Sequence, residues 1–144
     1  MRQKTLSSER PAHPFEVENI RNGYCTVLFF TNIEELTDEE ENTYYEYDLY
    51  VLDKVNYRDT LESAIEGNYY EWLDMAIQND YDTAAKEVRT KRDSLLNETD
   101  WTQMADTALS EQKQEAYRIY RQALRNVPEQ EGFPYEVLWP EEVS

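Results

Sequence analysis

One histidine, one cysteine and three glycines in 144 residues remove most catalytic and metal-binding chemistry. His13 stands alone, so a histidine-based triad or a multi-histidine metal site lacks its members. Cys25 has no partner for an intramolecular disulfide, and one thiol cannot build a thiolate zinc site. It lies in the apolar run Tyr24–Cys25–Thr26–Val27–Leu28–Phe29–Phe30, where a buried, inert thiol is expected. Gly23, Gly67 and Gly132 are too far apart to form a phosphate-cradling loop. Carboxylates are plentiful, but 31 acids in so short a chain form close pairs by chance, and no acid–base dyad stands out. The expectation is a protein without catalytic, cofactor or metal residues.

Long apolar runs are missing too. No stretch approaches the ~18 apolar residues that span a membrane, and Met1–Leu6 has no apolar core of a secretion signal. A cytoplasmic product is expected. The net charge is −17, and residues 1–80 carry 18 acids against 6 bases. Such a chain repels nucleic acid and anionic lipid, so neither is an expected partner. A solvated surface, a basic protein partner and mimicry of nucleic acid all fit this charge. Aromatic content of 13%, with twelve tyrosines, implies a folded aromatic-rich core or interface.

Periodicity predicts an α+β fold. Residues 1–14 are polar and read as a flexible arm. Residues 15–79 read as a β-meander plus helix. Phe15–Glu18 alternates apolar and acidic, Asn22–Gly23 signals a turn, and Tyr24–Thr31 is apolar on both faces. Glu34–Glu41 reads as a loop or single helical turn, with Thr37 and Glu40 at capping-box spacing. A calcium loop there lacks the glycine it needs. Tyr45, Tyr47, Leu49 and Val51 share one face of a third strand, which completes an antiparallel three-stranded meander. Leu61, Ala64, Ile65, Tyr69, Trp72, Leu73 and Ala76 form the stripe of a helix starting near Thr60, with Gly67–Asn68 as a possible interruption. Asn79–Asp80 reads as a break. Residues 80–144 then read as a C-terminal αα-hairpin, Tyr81–Leu96 and Glu111 to about Asn126, followed by an extended aromatic and proline tail.

The last third carries Asp100–Trp101, then Tyr120–Arg121 with Leu124–Arg125, then Phe133–Pro134, Val137 and Trp139–Pro140. In order and approximate spacing, over roughly residues 91–140, these elements resemble the C-terminal module of the phage tail assembly chaperone family. The C-termini of tail fibre assembly chaperones are similar. The resemblance implies a non-catalytic protein that binds a phage tail or tail fibre protein during virion morphogenesis in the host cytoplasm. Two other readings stay open: a structural tail subunit retained in the virion, and an acidic DNA-mimic inhibitor of a host protein. Trp101, Tyr120, Arg121, Leu124, Arg125, Phe133, Pro134, Val137, Trp139 and Pro140 are the motif residues. Each could either close the helical hairpin or touch the partner. Arg121 and Arg125, one turn apart, could pair with local acids or cap helix carbonyls.

Overall fold

The computed structural model describes residues 3–144, with Gln3 described by its backbone alone. It has two compact units, Met1–Tyr81 and Asp82–Ser144. Four strands, β1 (Gln3–Ser7), β2 (Phe15–Arg21), β3 (Tyr24–Thr37) and β4 (Thr43–Asn56), form one antiparallel sheet in the order β1-β4-β3-β2. Helix α1 (Leu61–Gly67) and the start of α2 (Tyr69–Thr99) follow, and α3 (Glu111–Arg125) lies in the second unit. The fold is α+β. Its sheet has four strands where the sequence suggested three.

The additional strand lies in the segment read as a loose arm; Met1 and Arg2 of that arm fall outside the described residues. Gln3–Ser7 pairs with Tyr45–Leu49, and Lys4 Nζ donates to Glu46 at 3.2 Å. The fourteen-residue β4 offers an unpaired row of donors and acceptors that this polar segment satisfies. An edge strand needs no apolar alternation, so periodicity missed it.

The turn at Asn22–Gly23 forms as expected, with φ of 53° and 77° at its two residues, the pair of positive values that a two-residue hairpin favours. The acidic segment departs from expectation. Glu34–Thr37 stays in β3, and only residues 38–42 turn. Asp38 Oδ1 accepts from the backbone N–H of Asn42 and of Glu40, both at 2.9 Å. The Asn42 N–H foremost holds this carboxyl below its ordinary pKa. One aspartate thus supplies the local bonds that the sequence reading assigned to a helical cap.

Three left-handed residues interrupt the ladders: Asn19 (φ 52°), Asn32 (φ 52°) and Lys54 (φ 56°). The register slips at each, between Glu18 and Arg21, Thr31 and Glu34, and opposite Cys25–Val27. Each bulge adds one residue to one strand and so resets which side chains share a face. Between the last two, Val27–Thr31 pairs without interruption with Asp48–Leu52.

The core of this unit sits on one face of the sheet. Cys25, Val27, Phe29 and Leu52 pack with Leu61, Ile65 and Ala76, with Tyr69, Trp72 and Leu73 around them. The helical stripe read from the sequence therefore covers the sheet, and α1 and α2 part at Gly67–Asn68. Burial raises the pKa of the Cys25 thiol, which donates to Val55 O. Tyr45, Tyr47, Leu49 and Val51 do share a face, and it is the face turned away from these helices. Helix α2 runs through Asn79–Asp80 without a break, because Asn and Asp each cost only a fraction of a kcal/mol inside a helix, up to about 0.7.

Phe29 is fully buried, whereas Phe30 lies on the opposite face. We expect Phe29→Ala to lose about 3–5 kcal/mol of stability, the usual cost of emptying a core phenylalanine. Phe30→Ala should lose less than half of that. Urea unfolding followed by circular dichroism measures both; equal losses would contradict the face assignment.

Candidate partner-binding elements

A helix leaves its last four carbonyls without partners inside it. Helix α2 ends at Thr99 with no glycine cap and no basic residue in its last turn. Its terminus is completed from elsewhere in the unit. Arg121, 7% exposed, donates from Nη1 to Leu96 O at 2.6 Å and to Thr99 Oγ1 at 2.8 Å, and from Nη2 to Asp100 Oδ1 at 2.7 Å. Thr99 Oγ1 donates to Leu95 O, and the buried Thr102 hydroxyl donates to Thr99 O at 2.6 Å. A planar guanidinium can serve a carbonyl, a hydroxyl and a carboxylate together, which an ammonium cannot do with the same geometry.

Residues Asp100–Gln103 form a 3₁₀ turn against which α3 lies, and Arg121 of α3 reaches the end of α2. The second unit thus differs in detail from a plain αα-hairpin. Ser110 caps α3 as read from sequence, accepting from Lys113 N at 3.2 Å. Tyr120 and Leu124 are buried beside Val127. Burial foremost, then the charges of Glu142 and Glu98 and the neighbouring Tyr117, push the Tyr120 hydroxyl pKa up. Arg125 is exposed in the last turn of α3, where a cation suits the helix dipole.

The tail is fastened to the module at several points. Gly132 belongs to a close turn in which Glu136 N donates to Gly132 O at 2.7 Å. A Cβ at Gly132 would stand 2.3 Å from Glu136 O, so only glycine fits. Phe133–Pro134 is a cis peptide within this turn, and Pro134 is buried. Arg89 lies 5.1 Å from the Phe133 ring centre and Lys91 lies 4.3 Å from that of Trp139, both at cation–π distance. Gln130 Oε1 accepts from Leu138 N and Gln130 Nε2 donates to Leu138 O, each at 2.8 Å. Val137 and Pro140 are half-buried, and Pro140 borders a groove of about 620 Å³ against Ala116, Ile119 and Ala123 of α3.

The motif residues therefore fall into two sets. Tyr120, Arg121, Leu124 and Pro134 are buried scaffold, with Phe133, Val137, Trp139 and Pro140 half-buried around them. Trp101 is 51% exposed although it packs on Tyr117, with ring centres 6.1 Å apart. Arg125 is the other exposed member. Sequence reasoning missed Thr99, Thr102 and Gln130, whose work is done through backbone groups. It also missed Leu138, 83% exposed although Gln130 grips its backbone on both sides.

Residues 85–142 match the family model described as phage tail assembly chaperone protein, as the motif order implied. No curated protein and no solved structure matches the chain significantly.

Two predictions rest on this geometry. Arg121→Met should cost about 2–4 kcal/mol, because it removes charge-assisted hydrogen bonds and strands a helix carbonyl. Asp100→Asn should cost under about 1 kcal/mol, since the Asp100 side chain is 62% exposed and its ion pair is screened. Chemical denaturation of both variants checks the ratio. Tyr120 supplies a pH dependence. Its folded pKa lies above the unfolded value near ~10, so the unfolded chain loses that proton first and stability falls as pH rises through this range. Tyr120→Phe should make the loss of stability between about pH 9 and 11 shallower than in the parent protein.

Proposed function

We propose that the protein carrying this phage tail assembly chaperone module is a non-catalytic chaperone, which holds a tail or tail fibre protein in the host cytoplasm until it is assembled. The observation that carries the reading is the match over residues 85–142, with its motif residues closing a single module. In that module the polar groups of Arg121, Thr99 and Thr102 are committed to holding the end of α2. Partner contact falls to the members that remain accessible: Trp101, Arg125 and the adjoining Leu138. Exposed tryptophan and arginine are favoured anchors at protein interfaces, because each combines a large apolar area with a polar tip. A chaperone uses such anchors to cover apolar or strand-edge surface of a partner that would otherwise aggregate.

Co-expression with candidate tail and tail fibre proteins from the same phage tests the proposal. The expected result is a co-purifying complex and a more soluble partner. Trp101→Ala and Leu138→Ser should each reduce capture about tenfold or more, and the highly exposed Leu138→Ser should do so while changing stability by under about 1 kcal/mol. Equal solubility and assembly of every such partner without this protein, with no complex surviving purification, would sink the chaperone reading. Fixed stoichiometry in purified particles would mark a structural subunit instead.

A further inference from the structure

The face of the sheet turned away from α1 and α2 is apolar where a solvated face should be polar. An antiparallel sheet covered on one side ordinarily alternates apolar-in and polar-out along each strand. Here Leu28 and Phe30 of β3 stand opposite Val51 and Leu49 of β4, with Tyr45 and Tyr47 continuing the same face. Phe30 and Tyr47 meet edge-to-face at 5.4 Å. Within this unit the helices lie over the opposite face, against Cys25, Val27, Phe29 and Leu52. Residues 9–13 reach the Phe30–Tyr47 end of the patch, beside a cavity of about 410 Å³. Tyr47 is buried, and Leu28, Phe30, Tyr45, Leu49 and Val51 keep part of their surface open. The bulges at Asn32 and Lys54 bracket Leu28, Phe30, Leu49 and Val51, which sit on an uninterrupted ladder, while Tyr47 lies opposite the Asn32 bulge and Tyr45 just beyond it.

Charge narrows what could cover such a face. Residues 15–57 carry eleven carboxylates and two cations, Arg21 and Lys54. Glu16 and Glu18 stand beside Leu28 and Thr26 along one edge of the patch. Asp53 closes one end, where it accepts from the Thr26 hydroxyl at 2.7 Å, and Glu35, opposite Tyr45, stands at the other. A second copy of this chain would bring the same carboxylates against these, and like charges across an interface are costly. A partner with cations flanking an apolar stripe gains on both counts. The patch is a face and not an edge, so main-chain pairing with an added strand does not use it. The other face of the same sheet already takes the apolar stripe of α1 and α2.

We propose that this outer sheet face docks an amphipathic helix of another protein, with Lys and Arg along both sides of its apolar stripe. The surface lies outside the matched module, so the proposal does not rest on the chaperone reading.

The probe is a fluorescein-labelled Leu/Lys amphipathic helix of about 18 residues, titrated against the full chain by fluorescence anisotropy. A scrambled peptide of the same composition and charge is the control. The amphipathic peptide is expected to bind at least about tenfold more tightly than the scrambled one. Leu49→Thr/Val51→Thr, which keeps charge and strand preference, should weaken it by a similar factor. Methyl NMR of the unaltered protein guards against a misfolded variant: Leu28, Leu49 and Val51 should shift on binding, and Leu61 and Ile65 should not. Trp101→Ala should bind the peptide as the parent does, which separates this surface from the tail module. Equal binding of the scrambled peptide, or methyl shifts confined to other surfaces, would overturn the proposal.

Discussion

The guanidinium of Arg121 is the interaction on which the second unit depends. A helix of 31 residues accumulates a negative end, and α2 ends without glycine or a basic residue in its own last turn. The charge that completes this end comes from α3. Since Arg121 bonds Leu96 O, Thr99 Oγ1 and Asp100 Oδ1 together, the path of α3 is set by the direction in which α2 stops. Burying a cation is itself costly, and a single carbonyl would not offset it. The Thr99 hydroxyl is a second, half-buried acceptor, and the exposed carboxylate of Asp100 adds a smaller, solvent-screened contribution. The adjacency of Asp100 to Trp101, and of Tyr120 to Arg121, follows from that geometry: in each pair one residue serves the ion pair and its neighbour packs an aromatic ring nearby.

The tail is held by a different means. Phe133 and Trp139 each lie at cation–π distance from a basic side chain of α2, and the Gln130 amide fastens Leu138 by its backbone. These contacts fix a chain segment that has no ladder of its own. Their consequence is an exposed leucine with little freedom to lose on binding, which lowers the entropic cost of using it as a contact.

Legibility in the sequence followed the reach of each signal. The hairpin at Asn22–Gly23, the stripe from Leu61 to Ala76 and the cap at Ser110 were readable because each depends on residues a few positions apart. The strand Gln3–Ser7 was not, because its only reason for being extended is the open edge of β4 some forty residues away. The bulges at Asn19, Asn32 and Lys54 were equally hidden. Lysine carries no preference for the left-handed region, and a single inserted residue leaves a period-two pattern looking intact on each side. The face shared by Tyr45, Tyr47, Leu49 and Val51 was read correctly as a set, but periodicity alone cannot say which face a helix will cover. In the tail module, the order of Trp101, Tyr120, Arg121 and Phe133–Pro134 was legible as a motif. The scaffold work of Arg121 was among the readings left open, because its carbonyl partner belongs to a residue type, leucine, that carries no polar signal.

Charge and apolar surface have to be considered together in the first unit. A sheet with apolar residues on both faces and only one face covered by its own helices would be prone to self-association if it were neutral. Eleven carboxylates against two cations over residues 15–57 oppose that encounter between identical copies. The same field attracts a cationic surface, and its reach of roughly 8–10 Å at ordinary salt covers the width of the patch from either rim. Acidity in this chain therefore does more than keep it dissolved: it sets which surfaces can approach the apolar face. The hydrophobic contact supplies affinity once they arrive, and the carboxylate rim supplies the selection.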